Sequence, residues 1–242
     1  MLKLRDYQIE ITKNGVVILD KYKILYLALM VRVGKTLTSL NVCKEKRYQR
    51  VLFITKKKAI SSILKDYNEW GFTQSFYLEV VNFESLHKID KRSWDCIIVD
   101  EAHSLGAFPK PSGRAKKIRD FFAANPNSDL ILLSGTPTPE GYSQLFHQLW
   151  ISPHSPFKEF TNFYTWAHTY VVIKKKRVAY GNLVNDYSHA RKDEIFAKSN
   201  HIFIEFSQKQ ANFKAEIKET ILKVKMKENT YKACEKLIKN LV

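Results

Sequence analysis

Cysteine is scarce: Cys43, Cys96 and Cys234 are the only three in 242 residues, scattered and odd in number. They show no metal-type spacing, so a disulfide framework or a cysteine metal site has no basis here, and reduced thiols in a cytosolic (cytoplasmic) setting are expected. Long apolar runs are missing too. The longest, Ile24 to Val31, falls well short of the ~20 residues a membrane helix needs and reads as a buried strand. The opening Met1-Leu2-Lys3-Leu4-Arg5-Asp6 lacks the apolar core of a secretory signal. There is no internal repeat and no low-complexity tract. His147, His154, His168, His189 and His201 have no cysteine or carboxylate at metal-ligand spacing and read as structural or exposed. Acid is in deficit: 24 Asp and Glu face 40 Lys and Arg, a formal charge of +16. That balance favours a polyanionic partner, whether DNA, RNA or an anionic membrane surface, over a basic protein without one.

What is present describes a globular chain. Hydrophobic residues make up 45% and aromatics 13%, enough for one domain with its own core and an appendage. Apolar runs at Lys23–Val31, Arg50–Thr55, Phe76–Val81, Trp94–Val99 and Leu130–Leu133 predict strands. Segments of helical character lie between them. Thr36–Lys46 is one, and Lys57–Trp70 another, with Ile60, Ile63, Leu64 and Tyr67 on one face. Strands alternating with helices predict an α/β fold with a mostly parallel sheet covered on both sides. After about residue 150 the pattern changes. Val171–Tyr180 reads as a protruding hairpin, His201–Phe206 and Ile221–Met226 as strands, and Thr230–Leu241 as a helix.

Two short motifs carry chemistry. Gly34-Lys35-Thr36 follows a buried strand and opens a helix. A tight turn there exposes backbone N–H groups, and the helix N-terminus adds a positive dipole end for phosphate oxygens. Lys35 would reach the β- and γ-phosphates of ATP, and the Thr36 hydroxyl would ligate Mg²⁺. The full pattern asks for a glycine at position 29, where this chain has Leu29. The second motif ends the apolar strand Cys96-Ile97-Ile98-Val99 in Asp100-Glu101-Ala102-His103. Ligands of parallel sheets bind at strand carboxyl ends, so Asp100 would lie near the phosphate loop and hold Mg²⁺, partly through water. Glu101 would orient and deprotonate the attacking water, and His103 would sense the nucleotide.

Together these motifs resemble superfamily-two helicases, whose motor domains are RecA-like. Leu4-Arg5-Asp6-Tyr7-Gln8 is similar to the adenine-reading glutamine motif, which implies ATP contacts from Arg5 and Gln8 beside those of Arg32, Val33, Gly34, Lys35, Thr36 and Leu37. Val51-Leu52-Phe53-Ile54-Thr55-Lys56 and Val80-Val81-Asn82-Phe83-Glu84-Ser85-Leu86 resemble motifs on the nucleic-acid track, which implies DNA contacts from Lys56, Lys57 and Asn82. Leu133-Ser134-Gly135-Thr136-Pro137 resembles the motif that couples hydrolysis to nucleic acid, here Ser134, Gly135 and Thr136 with His103. Leu145-Phe146-His147-Gln148-Leu149-Trp150 and Phe157-Lys158-Glu159-Phe160 resemble the Swi/Snf-type branch, mostly duplex-DNA translocases. The compact form resembles helicases encoded by bacteriophages, which would place it in a host cytoplasm.

The resemblance implies a RecA-like helicase domain over 1–170 and an appended hairpin and helical segment over 171–220. Residues 221–242 would then form a linker toward a second RecA-like domain that supplies arginine fingers. The chain would be half of a double-length motor or a naturally shortened one. Arg32-Val33 replaces the glycine-containing loop of most members. Lys174, Lys175, Lys176 and Arg177 are expected either to contact DNA phosphates or to form a solvated hairpin. Phe157, Phe160, Phe163, Tyr164 and Trp166 are spaced for a core helix rather than for base stacking. The rival readings are an RNA helicase of the Asp-Glu-Ala-His type and a non-catalytic nucleic-acid-binding module that kept the fold. A small-molecule kinase does not explain Gly135-Thr136-Pro137.

Overall fold

The structure, a computed structural model, describes residues 3–90, 93–177, 182–211 and 228–239. Two compact units divide the chain, Met1–Asn212 and Phe213–Val242; of the second, helix α8 (Glu228–Lys239) is described. The expected strand at Ile221–Met226 lies outside the described residues.

Six strands build the sheet of the first unit: β1 (Ile24–Leu29), β2 (Arg50–Thr55), β3 (Tyr77–Asn82), β4 (Cys96–Asp100), β5 (Asp129–Leu133) and β8 (Phe203–Phe206). They run in the order β3-β2-β4-β5-β1-β8, and every pairing is parallel. Continuous apolar runs suit this position, because a parallel sheet covered on both faces leaves no strand side in water. Leu25, Leu27, Ile97, Val99, Leu130 and Leu132 are all fully buried. Strand β1 ends two residues before the predicted Val31, which is exposed in the loop that follows.

The helices are α1 (Asp6–Tyr22), α2 (Lys35–Glu45), α3 (Ile60–Glu69), α4 (Gly113–Ala124), α5 (Leu145–Trp150), α6 (Phe163–Tyr170) and α7 (Lys192–Ser199). Patterning does not reveal α1, because Gly15, Val16 and Val17 are weak helix formers. Tertiary contact supplies what propensity lacks. Ile11 and Leu19 are buried, and Asn41 of α2 donates to Thr12 Oγ1 at 3.2 Å. The predicted helix at Lys57–Trp70 begins as a 3₁₀ turn (Lys57–Ala59) and becomes α3 at Ile60. Its buried stripe is Ile63 and Tyr67, while Leu64 is exposed.

Within the segment expected as an appendage, 171–220, the chain returns to the central sheet. Strand β8 extends the central sheet beside β1, with Tyr26 opposite Phe203 and Leu29 opposite Phe206. Asn162 caps α6 by accepting from Thr165 N at 3.1 Å. Helix α6 sinks Phe163 and Trp166 into an aromatic cluster with Phe146 and Phe157, so these rings serve packing. Tyr164 is exposed and Phe160 half-buried. The expected hairpin is present as an antiparallel ribbon of β6 (Lys174–Arg177) and β7 (Leu183–Asp186).

Candidate nucleotide and nucleic-acid site

The parallel register brings four loops to one edge. Leu27 lies beside Leu133, Asp100 beside Leu133, and Ile54 beside Val99. The segments after β1, β2, β4 and β5 therefore leave the sheet together, carrying Lys35, Lys56, Glu101 and Ser134.

The loop after β1 is held from several sides. Lys35 Nζ folds back onto the carbonyls of Leu29 at 3.0 Å and Met30 at 3.3 Å. Gly34 sits at φ 79°, and a Cβ there would come within 2.5 Å of Gln8 Nε2, so only glycine fits. Gln8 is buried, and its Oε1 accepts from Arg5 N at 3.0 Å. Tyr7 donates to the Val33 carbonyl at 3.4 Å and stacks on Phe206 with centroids 4.8 Å apart. Met30 N donates to the Phe206 carbonyl at 2.9 Å, and Gln208 Nε2 donates to the Val31 carbonyl at 2.9 Å. Arg32 occupies a left-handed backbone position at φ 67°, a conformation easier for glycine, and its side chain is exposed. Val33 is fully buried. Thr36 and Leu37 lie half-buried in the first turn of α2.

The acidic pair lies opposite. Thr55 Oγ1 donates to Asp100 Oδ2 at 2.8 Å, and Glu101 N donates to Asp100 Oδ1 at 2.9 Å. Burial pushes the Asp100 carboxyl above the usual carboxylate range, and the Thr55 hydroxyl opposes that shift. Burial likewise holds the Lys35 ammonium below its ordinary value, against the pull of Asp100 and Glu101. Two opposite charges held partly dry in one cleft are a feature of chemical sites. Glu101 turns the chain at φ 53° into the 3₁₀ turn Ala102–Leu105. Its carboxylate is 3.3 Å from Lys56 Nζ and 3.5 Å from His103 Nδ1.

His103 Nδ1 also lies 3.0 Å from Ser134 Oγ, which accepts from Thr136 N at 3.2 Å. A side chain at Gly135 would touch the Leu29 carbonyl oxygen at 3.5 Å and Lys35 Nζ at 3.7 Å, so this turn lies against the phosphate loop. Beneath it, Gln148 Nε2 donates to the Pro137 carbonyl at 2.8 Å, and Tyr26 donates to Gln148 Oε1 at 2.6 Å. Burial raises the Tyr26 hydroxyl well above its ordinary value, which keeps it a neutral donor. His147 supports the same region through its Nδ1, 2.6 Å from the Ala107 carbonyl.

The residues expected on the nucleic-acid track divide. Lys56 and the exposed Lys57 stand at the end of β2. Asn82 is on the neighbouring strand end opposite Thr55, and its Oδ1 accepts from Ser85 N at 2.7 Å. Lys174, Lys175, Lys176 and Arg177 belong to the separate ribbon, all exposed. Sequence reading missed Thr55, Tyr26, Gln148 and Gln208 as supports of the site. Gln148, a glutamine within the apolar run Leu145–Trp150, is the one with a local signal.

Among the described residues no group of three or more His, Cys, Asp or Glu is placed to hold a metal ion, and no helix is long and apolar enough to cross a membrane. The oxygen donors Thr36 and Asp100 suit Mg²⁺, which keeps several waters and takes one or two protein oxygens beside substrate phosphates.

Comparison with known proteins gives the chain a family and a fold. The family described as SNF2-related domain matches residues 31–239. Among solved structures, the Sulfolobus solfataricus SWI2/SNF2 ATPase core domain is similar at a TM-score of 0.65 and 16% identity, over 88% of this chain and 45% of that one. The Sulfolobus solfataricus SWI2/SNF2 ATPase core in complex with dsDNA is similar at a TM-score of 0.60 and 16% identity, over 86% and 45%. At that identity the likeness is one of fold, and this chain spans 45% of the length of either structure. No curated protein matches the chain.

Proposed function

We propose, from the premise that this chain belongs to the SNF2-related domain family, that it is the ATP-binding half of a motor that moves on duplex DNA. The fold is the mostly parallel α/β sheet of the SWI2/SNF2 ATPase core, a RecA-like domain of the Swi/Snf type. The observation that carries the proposal is the meeting of Lys35, Asp100, Glu101 and the His103–Ser134 pair at one sheet edge.

In this reading the phosphates of ATP lie over Gly34 and the N-terminus of α2, and Lys35 turns from its loop carbonyls toward them. Thr36 and Asp100 would hold Mg²⁺, which when bound would neutralise developing phosphate charge. Glu101 receives a proton from the attacking water. The water oxygen bonds to the γ-phosphorus, and the bond to the bridging oxygen breaks with its electrons on ADP. Gln8 and Arg5 lie beside the loop to meet the base. Ser134, Gly135 and Thr136 report occupancy through His103. A second RecA-like domain would add arginines to the transition state, worth about 10³–10⁵ in rate.

The charge of +16 suits either nucleic acid, and family membership favours duplex DNA over RNA. Phosphate release by the complete gene product, with duplex DNA, with RNA and with neither, tests the proposal. Stimulation greatest with duplex DNA is expected; stimulation by RNA alone, or no turnover under any condition, overturns it.

A further inference from the structure

The proposed base has two partners of its own within the protein. Glu101 Oε1 accepts from Lys56 Nζ at 3.3 Å, and Glu101 Oε2 lies 3.5 Å from His103 Nδ1. Register makes the first contact. Strands β2 and β4 pair through Ile54 and Val99, and the next two residues of each strand meet as Thr55 with Asp100 and Lys56 with Glu101. Lys56 keeps an extended backbone at φ −79° and ψ 143°, so its side chain continues the alternation of β2. The last residue of β2 and the one after it thus hold the last residue of β4 and the one after it.

Lys56 also begins the cationic run Lys56-Lys57-Lys58, which ends β2 with no acid in the 3₁₀ turn it opens. The Lys56 and Glu101 side chains are 42% and 36% exposed. A phosphate of a bound strand can therefore reach the ammonium, and an ion pair this open to water yields readily to a competing anion. While paired, one carboxylate oxygen is taken by the Lys56 ammonium and the other faces His103. The same pairing fixes where its oxygens point.

We propose that Lys56 is a positioning residue that holds Glu101 in the DNA-free protein and releases it when a DNA phosphate takes the ammonium. Nucleic acid would thereby switch on hydrolysis through a single side-chain exchange. The proposal rests on Glu101 as base and on the end of β2 as DNA track. Linkage makes it reciprocal: if DNA frees Glu101 from Lys56, removing the Glu101 charge must free Lys56 for DNA.

Duplex binding without nucleotide tests it, by fluorescence anisotropy of a labelled oligonucleotide with the complete gene product. Glu101→Gln tightens binding about fivefold when Lys56 is present, and has little effect in the Lys56→Gln background. Phosphate release gives the second reading. Lys56→Gln raises DNA-free turnover and shrinks the ratio of DNA-saturated to DNA-free rates, and Lys56→Arg keeps the wild-type ratio. An equal effect of Glu101→Gln in both backgrounds overturns the proposal, since simple charge removal then explains it. An unchanged ratio in Lys56→Gln, with only more DNA needed to saturate, overturns it too. Failure of the wild-type protein to bind duplex, or full turnover by Glu101→Gln, instead overturns the underlying assignment of track or base, and the proposal with it.

Discussion

His103 and Ser134, which follow different strands and lie 31 residues apart, meet at 3.0 Å between Nδ1 and Oγ. This contact joins the acidic turn after β4 to the Ser134-Gly135-Thr136 turn after β5. Ser134 Oγ also accepts from Thr136 N, so the hydroxyl ties its own turn as well. Ser134→Ala should leave nucleotide affinity near wild type and lower DNA-stimulated turnover by up to about tenfold, the worth of one hydrogen bond. Equal loss of stimulated and unstimulated rates would remove Ser134 from the coupling path.

Asp100 sets function against stability. Burial raises its carboxyl above the unfolded value, so the folded state binds the proton more tightly. Between those two values stability falls as pH rises, and at neutral pH the ionised form is a cost to the fold. Asp100→Asn removes that cost and keeps an acceptor for Glu101 N. A rise in Tm at pH 7 is expected together with weaker Mg²⁺-dependent nucleotide binding. Thermal denaturation and nucleotide titration check both; a lower Tm contradicts the account.

The strands were legible because both faces of the sheet are covered, which leaves runs such as Cys96–Val99 and Leu130–Leu133 continuously apolar. Gly34-Lys35-Thr36 and Asp100-Glu101 were legible because each sits where a strand ends. Other features were not. Helix α1 depends on packing against α2; the strand expected at His201–Phe206 is present as β8, but its place beside β1, a partner about 175 residues away, was not legible. Helix α4 is not among the expected helices, although its buried Ala115, Ile118, Phe121 and Phe122 recur at helical spacing. The pairs Thr55–Asp100 and Lys56–Glu101 follow from strand register, which no local pattern encodes. Arg32 gives no warning of its left-handed backbone, because residue type alone argues against it.

Acid should weaken the fold through His147. Burial lowers this imidazole from 6.5 to about 4, and its Nδ1 lies against the Ala107 carbonyl. In the unfolded chain it charges below about 6.5, but in the folded protein only near 4. Stability is therefore complete above that window and falls as pH drops through it, by up to about 3 kcal/mol at 1.36 kcal/mol per unit. Urea unfolding at pH 7 and pH 5 should show a smaller difference in His147→Gln than in wild type. The same difference in both proteins would assign the acid sensitivity elsewhere.

The ribbon of β6 and β7 separates phosphate binding from mere solvation. Lys174, Lys175, Lys176 and Arg177 are exposed on it, and it stands apart from the central sheet. Replacing all four with glutamine should reduce the slope of log affinity against log salt by about 0.9 for each DNA phosphate that these side chains neutralise in the wild type. Duplex binding at several salt concentrations measures this. An unchanged slope would make the ribbon a solvated hairpin.

Glu101 carries the central claim, that this sheet edge hydrolyses ATP under the control of DNA. Nucleotide affinity and single-turnover hydrolysis of Glu101→Gln and wild type, each with saturating duplex DNA in the complete gene product, test it most directly. The account predicts retained nucleotide binding and a fall in hydrolysis of about 10²–10⁴-fold, the range a positioned general base contributes. Hydrolysis by Glu101→Gln at the wild-type rate would contradict it.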